Sequence, residues 1–237
     1  MNAFRLWVYL QTTPLFWLAT TLGAFIVADA LARFARRNPL VNPVLVSVAL
    51  VAALLRLTAT DYQTYFNGAQ FVHFLLGPAT VALGVPLYRN LALVRRNLAP
   101  MAAALVAGSL VAVVSAVGLA ATLGAPRIVL VSLAPKSVTA GVAMAVSESL
   151  GGLPSLTAAL VIMTGIIGAM MVTPLMNALR IRDYAARGFS VGLASHGIGA
   201  ARAFTVDPVA GVFAGIAMGL NAVATPLLIP LILPWIV

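Results

Sequence analysis

The chain has 237 residues, 62% of them hydrophobic and only 8% charged, with a mean hydropathy of +1.06. Soluble domains carry about a quarter charged residues, so a water-soluble globule is excluded and an all-α integral membrane protein is expected. Fourteen basic against five acidic residues give a net charge of +9, but the basic residues fall in short breaks between apolar runs, which fits cytoplasmic loops and argues against a nucleic-acid partner.

The opening MNAFRLWVYLQTTP has one arginine and no small-residue cleavage pattern, and reads as the approach to a retained first span. That span, Leu15 to Ala32, is closed by Arg33, Arg36 and Arg37. Pro39 and Pro43 mark a turn around Asn38–Asn42, and Pro43 to Leu55 is a short apolar run ended by Arg56. Asp61 to Gln70, DYQTYFNGAQ, is polar and aromatic and is predicted to be an interfacial loop, with Tyr62 and Tyr65 as anchors at headgroup depth. Phe71 to Tyr88 is apolar but broken at Gly77-Pro78, with Thr80 just beyond. Arg89, Arg95 and Arg96 form a second basic loop, and Pro100 to Leu123 is a clean span rich in small residues.

Ile128 to Leu150, IVLVSLAPKSVTAGVAMAVSESL, has the length of a span, yet its centre holds Pro135, the only lysine of the chain at Lys136, then Ser137 and Thr139, with Glu148 further on. An ionised side chain mid-membrane costs roughly 2.5 to 3.5 kcal/mol unless it faces protein, water or a ligand. Proline lacks a backbone N–H and clashes with the preceding turn, so the helix should break there and free carbonyls and amides beside the lysine. One reading is an anion site; the other is a kinked structural helix whose Lys136 snorkels to an interface or pairs with Glu148. GPATVALGV from Gly77 and APKSVTAGV from Ala134 share the proline, the hydroxyl two residues later and the Gly-Val pair, an internal match that points to a repeat with two interrupted helices.

Gly151-Gly152-Leu153-Pro154 is a turn, Ser155 to Leu179 a span, and Arg180, Arg182 and Arg187 a third basic loop. Gly188 to Phe204, GFSVGLASHGIGAARAF, is too glycine-rich for a stiff helix and too apolar for a solvated loop. Val209 to Leu233 completes the bundle, with Asn221 at its middle; a buried amide there needs partners from a neighbouring helix or from a substrate path. If every apolar segment crosses, the third basic cluster falls on the opposite side from the first two. All three share a side if one segment turns back, and Ile128–Leu150 is the segment predicted to do so, inverting the second half of the chain.

Two histidines and five acids with no H-E-x-x-H spacing leave no metal centre, and zero cysteines remove thiolate ligands and cysteine nucleophiles. Ser195-His196 lacks a nucleophile elbow, so no enzyme and no cofactor are expected. What remains is an anion pathway. Lys136 and Arg202 supply charge; Ser137, Thr139, Thr80 and Ser195 supply hydroxyls; Gly197 and Gly199 let backbone amides approach, beside His196 and Asn221. His196 or Glu148 would carry a coupling proton. The alternative for Glu148 is an interfacial acid, and for Arg202 a headgroup-facing cation at a segment end.

APKSVTAGVAMAVSESLGGLPSLTAALVIMTGIIGA, ASHGIGAARAF, LLGPATVALGVPLYR and AMGLN closely resemble the LrgB/CidB family, over nearly the whole chain. Ala200 departs from the threonine expected in many relatives, which puts a donor there in doubt, and His73 has no family role. A single LrgB-like transmembrane domain over 1–237 is expected, its apolar runs and their breaks giving about seven or eight hydrophobic segments with two or three discontinuous or re-entrant helices. The resemblance implies a multi-pass protein of the bacterial inner membrane with a small LrgA/CidA-like partner and assembly as a homo-oligomer. Two functions go with it: transport of small monocarboxylates (glycolate, glycerate, lactate or pyruvate), as in the plastid glycolate/glycerate translocator, or a holin- or antiholin-like control of murein hydrolase export and lysis. A central cation on a broken helix favours transport.

Overall fold

A computed structural model describes residues 13–38, 40–75, 78, 81–82 and 84–236. The chain divides into two compact units, Met1–Gly84 and Val85–Val237. The described residues form helices and turns, with no strand among them.

The first unit holds α1 (Pro14–Phe34), α2 (Pro43–Leu57) and α3 (Tyr62–Phe74). Pro14 opens α1 where its missing N–H costs nothing, and Asp29 pairs with Arg33 at 3.2 Å and Arg37 at 2.7 Å as the helix ends. Asn42 caps α2, its side-chain oxygen accepting from the amides of Val44 (2.8 Å) and Leu45 (3.3 Å).

The stretch predicted as an interfacial loop is instead α3. Asp61 starts it by accepting from the Gln63 amide at 2.8 Å, and its aromatic residues have a protein surface to cover. Trp17, fully buried, meets the Tyr65 ring edge-on at 5.8 Å. The Tyr65 hydroxyl lies 3.1 Å from Thr21 Oγ1, so Tyr65 packs within this unit; Tyr62 stays exposed. Gly68 permits the approach, because a Cβ there would collide with the Pro14 carbonyl.

The second unit runs through α4 (Gly84–Arg89), α5 (Leu91–Arg96), α6 (Leu98–Thr122), α7 (Arg127–Leu133), α8 (Ala140–Ser149), α9 (Pro154–Ala178), α10 (Tyr184–Val206) and α11 (Pro208–Ile232). Asp183 caps α10 through the Ala186 amide, and Asp207 caps α11 through Val209 and Ala210. Helices α6 and α11 run parallel: Met101 clusters with Val212 and Phe213 at one end, and Val113 and Val117 with Ile229 and Leu233 at the other. Helix α9 runs the opposite way and packs on the hairpin helices α7, α8 and α10. Among the described residues, α1, α6, α9 and α11 are the four helices long and apolar enough to cross a membrane.

Helices α7 and α8 double back on each other. Leu130, Val131 and Ala134 share a core cluster with Val146 and the partly buried Val142 and Leu150. The base of this hairpin is fixed by hydroxyls that are fully buried: Ser132 Oγ accepts from the Leu153 amide at 2.8 Å, and Thr157 Oγ1 lies 2.7 Å from Ser147 Oγ and 3.0 Å from the Ser132 carbonyl. Thr157→Val strips that joint of its donor and leaves buried acceptors unpaired. It is expected to cost about 1–3 kcal/mol, read as a lower unfolding temperature in detergent.

The glycine-rich Gly188–Phe204 stretch, predicted to be irregular, is helical on both sides of a two-residue break at Ser195 (φ −129°, ψ 15°) and His196 (φ 43°, ψ −136°). A straight helix of this length would be about 35 Å long. Instead Tyr184, Arg187 and Val191 line one small cavity together with Arg202, Ala203 and Val206, so α10 is also a hairpin. Its first arm lies beside α11 with Gly188 against the Ala210 backbone and Gly192 against that of Ala214.

The two hairpins enter from opposite ends. The base of α7–α8 sits with the start of α9; the base of α10 sits with the end of α9 and, through a cavity lined by Asn97, Met101, Asp183 and Phe189, with the start of α6. That common end therefore gathers Arg95 and Arg96 at the end of α5, Arg180 and Arg182 between α9 and α10, and Arg187 in the first turn of α10. Helix then hairpin (α6 with α7–α8) is followed by helix then hairpin of opposite sense (α9 with α10). Gly77, Ala79, Thr80 and Leu83 of the Gly77 copy lie outside the described residues, and the two breaks that the described residues of the second unit show are those at Pro135 and His196.

Candidate functional site

The tip of the first hairpin, 134–139, is wound in tight turns, Lys136 N to Leu133 O at 3.1 Å and Val138 N to Pro135 O at 3.2 Å. Pro135 and Val138 are buried, Ser137 is 9% exposed, and Lys136 and Thr139 are half-buried. Lys136 Nζ donates to Ser137 Oγ at 3.2 Å. Thr139 occupies the N-cap position of α8 without a side-chain capping bond.

The tip of the second hairpin rests on α9. His196 Nε2 lies 3.0 Å from the Val161 carbonyl; a carbonyl only accepts, so Nε2 carries the hydrogen. Gly165 and Gly168, one helical turn apart, make the seat: a Cβ on Gly165 would stand 2.7 Å from His196 Cε1, and one on Gly168 would strike Ser195 Oγ. Ser195 is fully buried and its hydroxyl has no hydrogen-bond partner.

His196 holds a positive φ that side chains with a Cβ rarely adopt, at a cost of about 1–3 kcal/mol. His196→Gly is therefore expected to unfold at a higher temperature than His196→Ala, although both lose the ring. Equal midpoints in a thermal melt would count against that strain.

Asn221 joins the tips. Its Nδ2 donates to the Ser137 carbonyl at 3.1 Å and to the Leu193 carbonyl at 3.2 Å, while Oδ1 accepts from Ser109 at 3.0 Å and Thr225 at 3.1 Å. Both donors and both lone pairs are used, and the reverse amide orientation would set oxygen against two carbonyls. The partners are neighbouring elements, so Asn221 holds the site together and has no group left for a substrate.

Other predicted residues lie elsewhere. Arg202, half-buried, borders the cavity with Tyr184 and Arg187 near the base of the second hairpin, its Nη1 3.5 Å from Thr205 Oγ1. Glu148 is exposed next to the last residue of α8, at the base of the first hairpin. Gly199 is buried with Val191 O 2.6 Å from where its Cβ would be, which closes the α10 arms; Gly197 is exposed at the tip. Thr80 lies outside the described residues, and Pro78 is exposed in the first unit. Among the described residues no cluster of three His, Asp or Glu could hold a metal. Ser109 and Thr225 went unnoticed in the sequence, although a hydroxyl midway along an apolar span was the available signal.

The sequence model of the LrgB-like family matches residues 21–235. The chain belongs to the LrgB-like family. It is 33% identical over 192 residues to the uncharacterized protein YwbG of Bacillus subtilis (strain 168), covering 81% of this chain and 85% of that one. It is 28% identical over 224 residues to the antiholin-like protein LrgB of Bacillus mycoides (strain KBAB4), covering 94% of this chain and 97% of the relative, and matches the Bacillus cereus (strain B4264) protein of the same name equally well. No solved structure matches. The matched span includes both hairpins and Asn221, and with four long apolar helices this LrgB-like protein is a multi-pass membrane protein.

Proposed function

We propose that this LrgB-like protein carries small monocarboxylates of the glycolate, glycerate, lactate or pyruvate type across the bacterial cytoplasmic membrane. The observation that carries this reading is the meeting of two opposed helical hairpins at Asn221, level with the middles of α6 and α11. In a bilayer such hairpins are re-entrant, and irregular backbone at that depth is tolerated where it lines a cavity or is buried in protein. Arg95, Arg96, Arg180, Arg182 and Arg187 lie at one end of the second unit and Arg127 at the other, a bias that favours the first end as the cytoplasmic face. Lys136 would hold the carboxylate, Ser137 and the buried Ser195 hydroxyl would bond its oxygens, and His196 would take or give a coupling proton. No chemical conversion of the substrate is part of this reading.

A small LrgA-like partner and assembly as a homo-oligomer belong to the same proposal. The printed names of the relatives favour a second reading, an antiholin-like regulator of lysis. Proteoliposomes separate the two. Saturable uptake of a labelled monocarboxylate with retention of a large entrapped dye is expected; release of the large dye, or no uptake of any of the four acids, would overturn transport.

A further inference from the structure

A side chain with four hydrogen bonds lies at neither hairpin's tip but on α11, between them. We propose that Asn221 is a positioning residue that couples the two tips, so that neither opens without the other. Its single Nδ2 group is shared between a carbonyl of each hairpin, Ser137 at 3.1 Å and Leu193 at 3.2 Å. The two sites of attachment are not equivalent to ordinary helix contacts. Ser137 stands in the turn that breaks α7 from α8, and Leu193 is two residues before the break in α10. Each is thus next to backbone that is free of the regular helical ladder and able to move.

The amide cannot drift toward one tip, because Oδ1 is held from the other side by Ser109 on α6 and Thr225 one turn along α11. Asn221 is 2% exposed, so water does not replace a bond that breaks. Opening one tip must pull the amide or strand a buried N–H, and either disturbs the bond to the other tip. The demonstration of coupling is a change imposed on one element and read on another. For transport, on which only this consequence rests, a joined pair of tips would exchange access between the two membrane faces in one step.

Hydrogen exchange followed by mass spectrometry on the full chain in detergent or nanodiscs reads each tip separately, in peptides covering 134–140 and 193–199. Asn221→Asp keeps Oδ1 for Ser109 and Thr225 but removes both donors. It is expected to raise exchange in both peptides together by about tenfold, the effect of a lost buried hydrogen bond, while peptides around Val117 and Thr157 keep their protection. Faster exchange in one tip alone, in neither, or throughout the unit would overturn the proposal.

A second arm leaves Asn221 untouched. Pro135→Gly loosens the first tip, and the second tip is expected to exchange several-fold faster; an unchanged second tip would overturn the coupling whether or not the Asp variant folds. Asn221→Asp combined with Pro135→Gly should show less than the sum of the two effects at 193–199; full additivity there would also overturn it. None of these readouts depends on uptake, so a failure to find a transported acid removes the transport reading and leaves the coupling to stand or fall on exchange.

Discussion

Lys136→Ala is expected to lower monocarboxylate uptake about 10- to 100-fold, at equal protein content per liposome. The size follows from the worth of a charge-assisted hydrogen bond, about 1.5–3 kcal/mol, with each 1.4 kcal/mol being a factor of ten. Lys136 is the chain's only lysine, half-buried at a hairpin tip, and its ammonium is bonded to a neutral hydroxyl at 3.2 Å. Among the described residues the ion pairs belong to Asp29, so no carboxylate of the described protein neutralises Lys136. Glu148, the partner considered from the sequence, stands exposed at the other end of the hairpin.

Removing such a cation should not harm the fold and is expected to hold or raise the melting temperature, because its charge is costly in an apolar setting. Lys136→Gln, which keeps a hydrogen bond and loses the charge, should resemble alanine in uptake. Lys136→Arg keeps the charge but needs room for a planar fork at a packed tip, and should recover only part of the rate. Undiminished uptake by the alanine variant would remove Lys136 from the site; uptake lost together with a collapsed melting temperature would assign it a structural role.

Periodicity and length were enough to place α1, α6, α9 and α11, because a bilayer demands long apolar runs and the basic residues punctuate them. Pro135, Lys136 and two hydroxyls in an apolar segment marked a break at the tip of the first hairpin, with a kinked structural helix as the other reading. Asp61–Gln70 was misread because its polarity is real but one-sided. Tyr65 and Gly68 turn to Trp17, a partner 48 residues away that no local pattern reveals. Gly188–Phe204 was expected to be irregular throughout, whereas the irregularity is confined to the break at Ser195 and His196. Counted as propensities, four glycines oppose a helix; as contacts, Gly188, Gly192 and Gly199 each mark a place where backbone meets backbone. The site was legible in its residue types and only partly in its geometry. Lys136, Ser137, Ser195 and His196 are at the tips, while Arg202 and Glu148 sit at the bases, since sequence proximity to a break does not fix depth once the chain turns back.

Gly192→Ala and Gly188→Ala should be strongly damaging small substitutions in the second unit. A Cβ at either position would run into a backbone carbonyl of α11, that of Ala214 or Ala210. Flexible side-chain ends give way, but a backbone carbonyl inside a helix does not, so relief requires separating the first arm of α10 from α11 along its length. Overpacking of this kind costs about 1–3 kcal/mol and sometimes more. The two positions lie one turn apart on the same seam, so the double variant would approach the lower end of total domain stability, about 5 kcal/mol. Gly118→Ala is the contrast: nothing lies within 4 Å of its added methyl, and helix propensity predicts a gain of about 0.8–1 kcal/mol. Separating α10 from α11 would also move Leu193, beside Gly192, away from Asn221, so exchange at 193–199 should rise before global unfolding does. Thermal melts and the monodisperse fraction on size-exclusion chromatography measure the effect. A Gly192→Ala protein as stable as the Gly118→Ala one would mean that α10 does not pack on α11 through this glycine seam, and the hairpin drawn from it would be wrong.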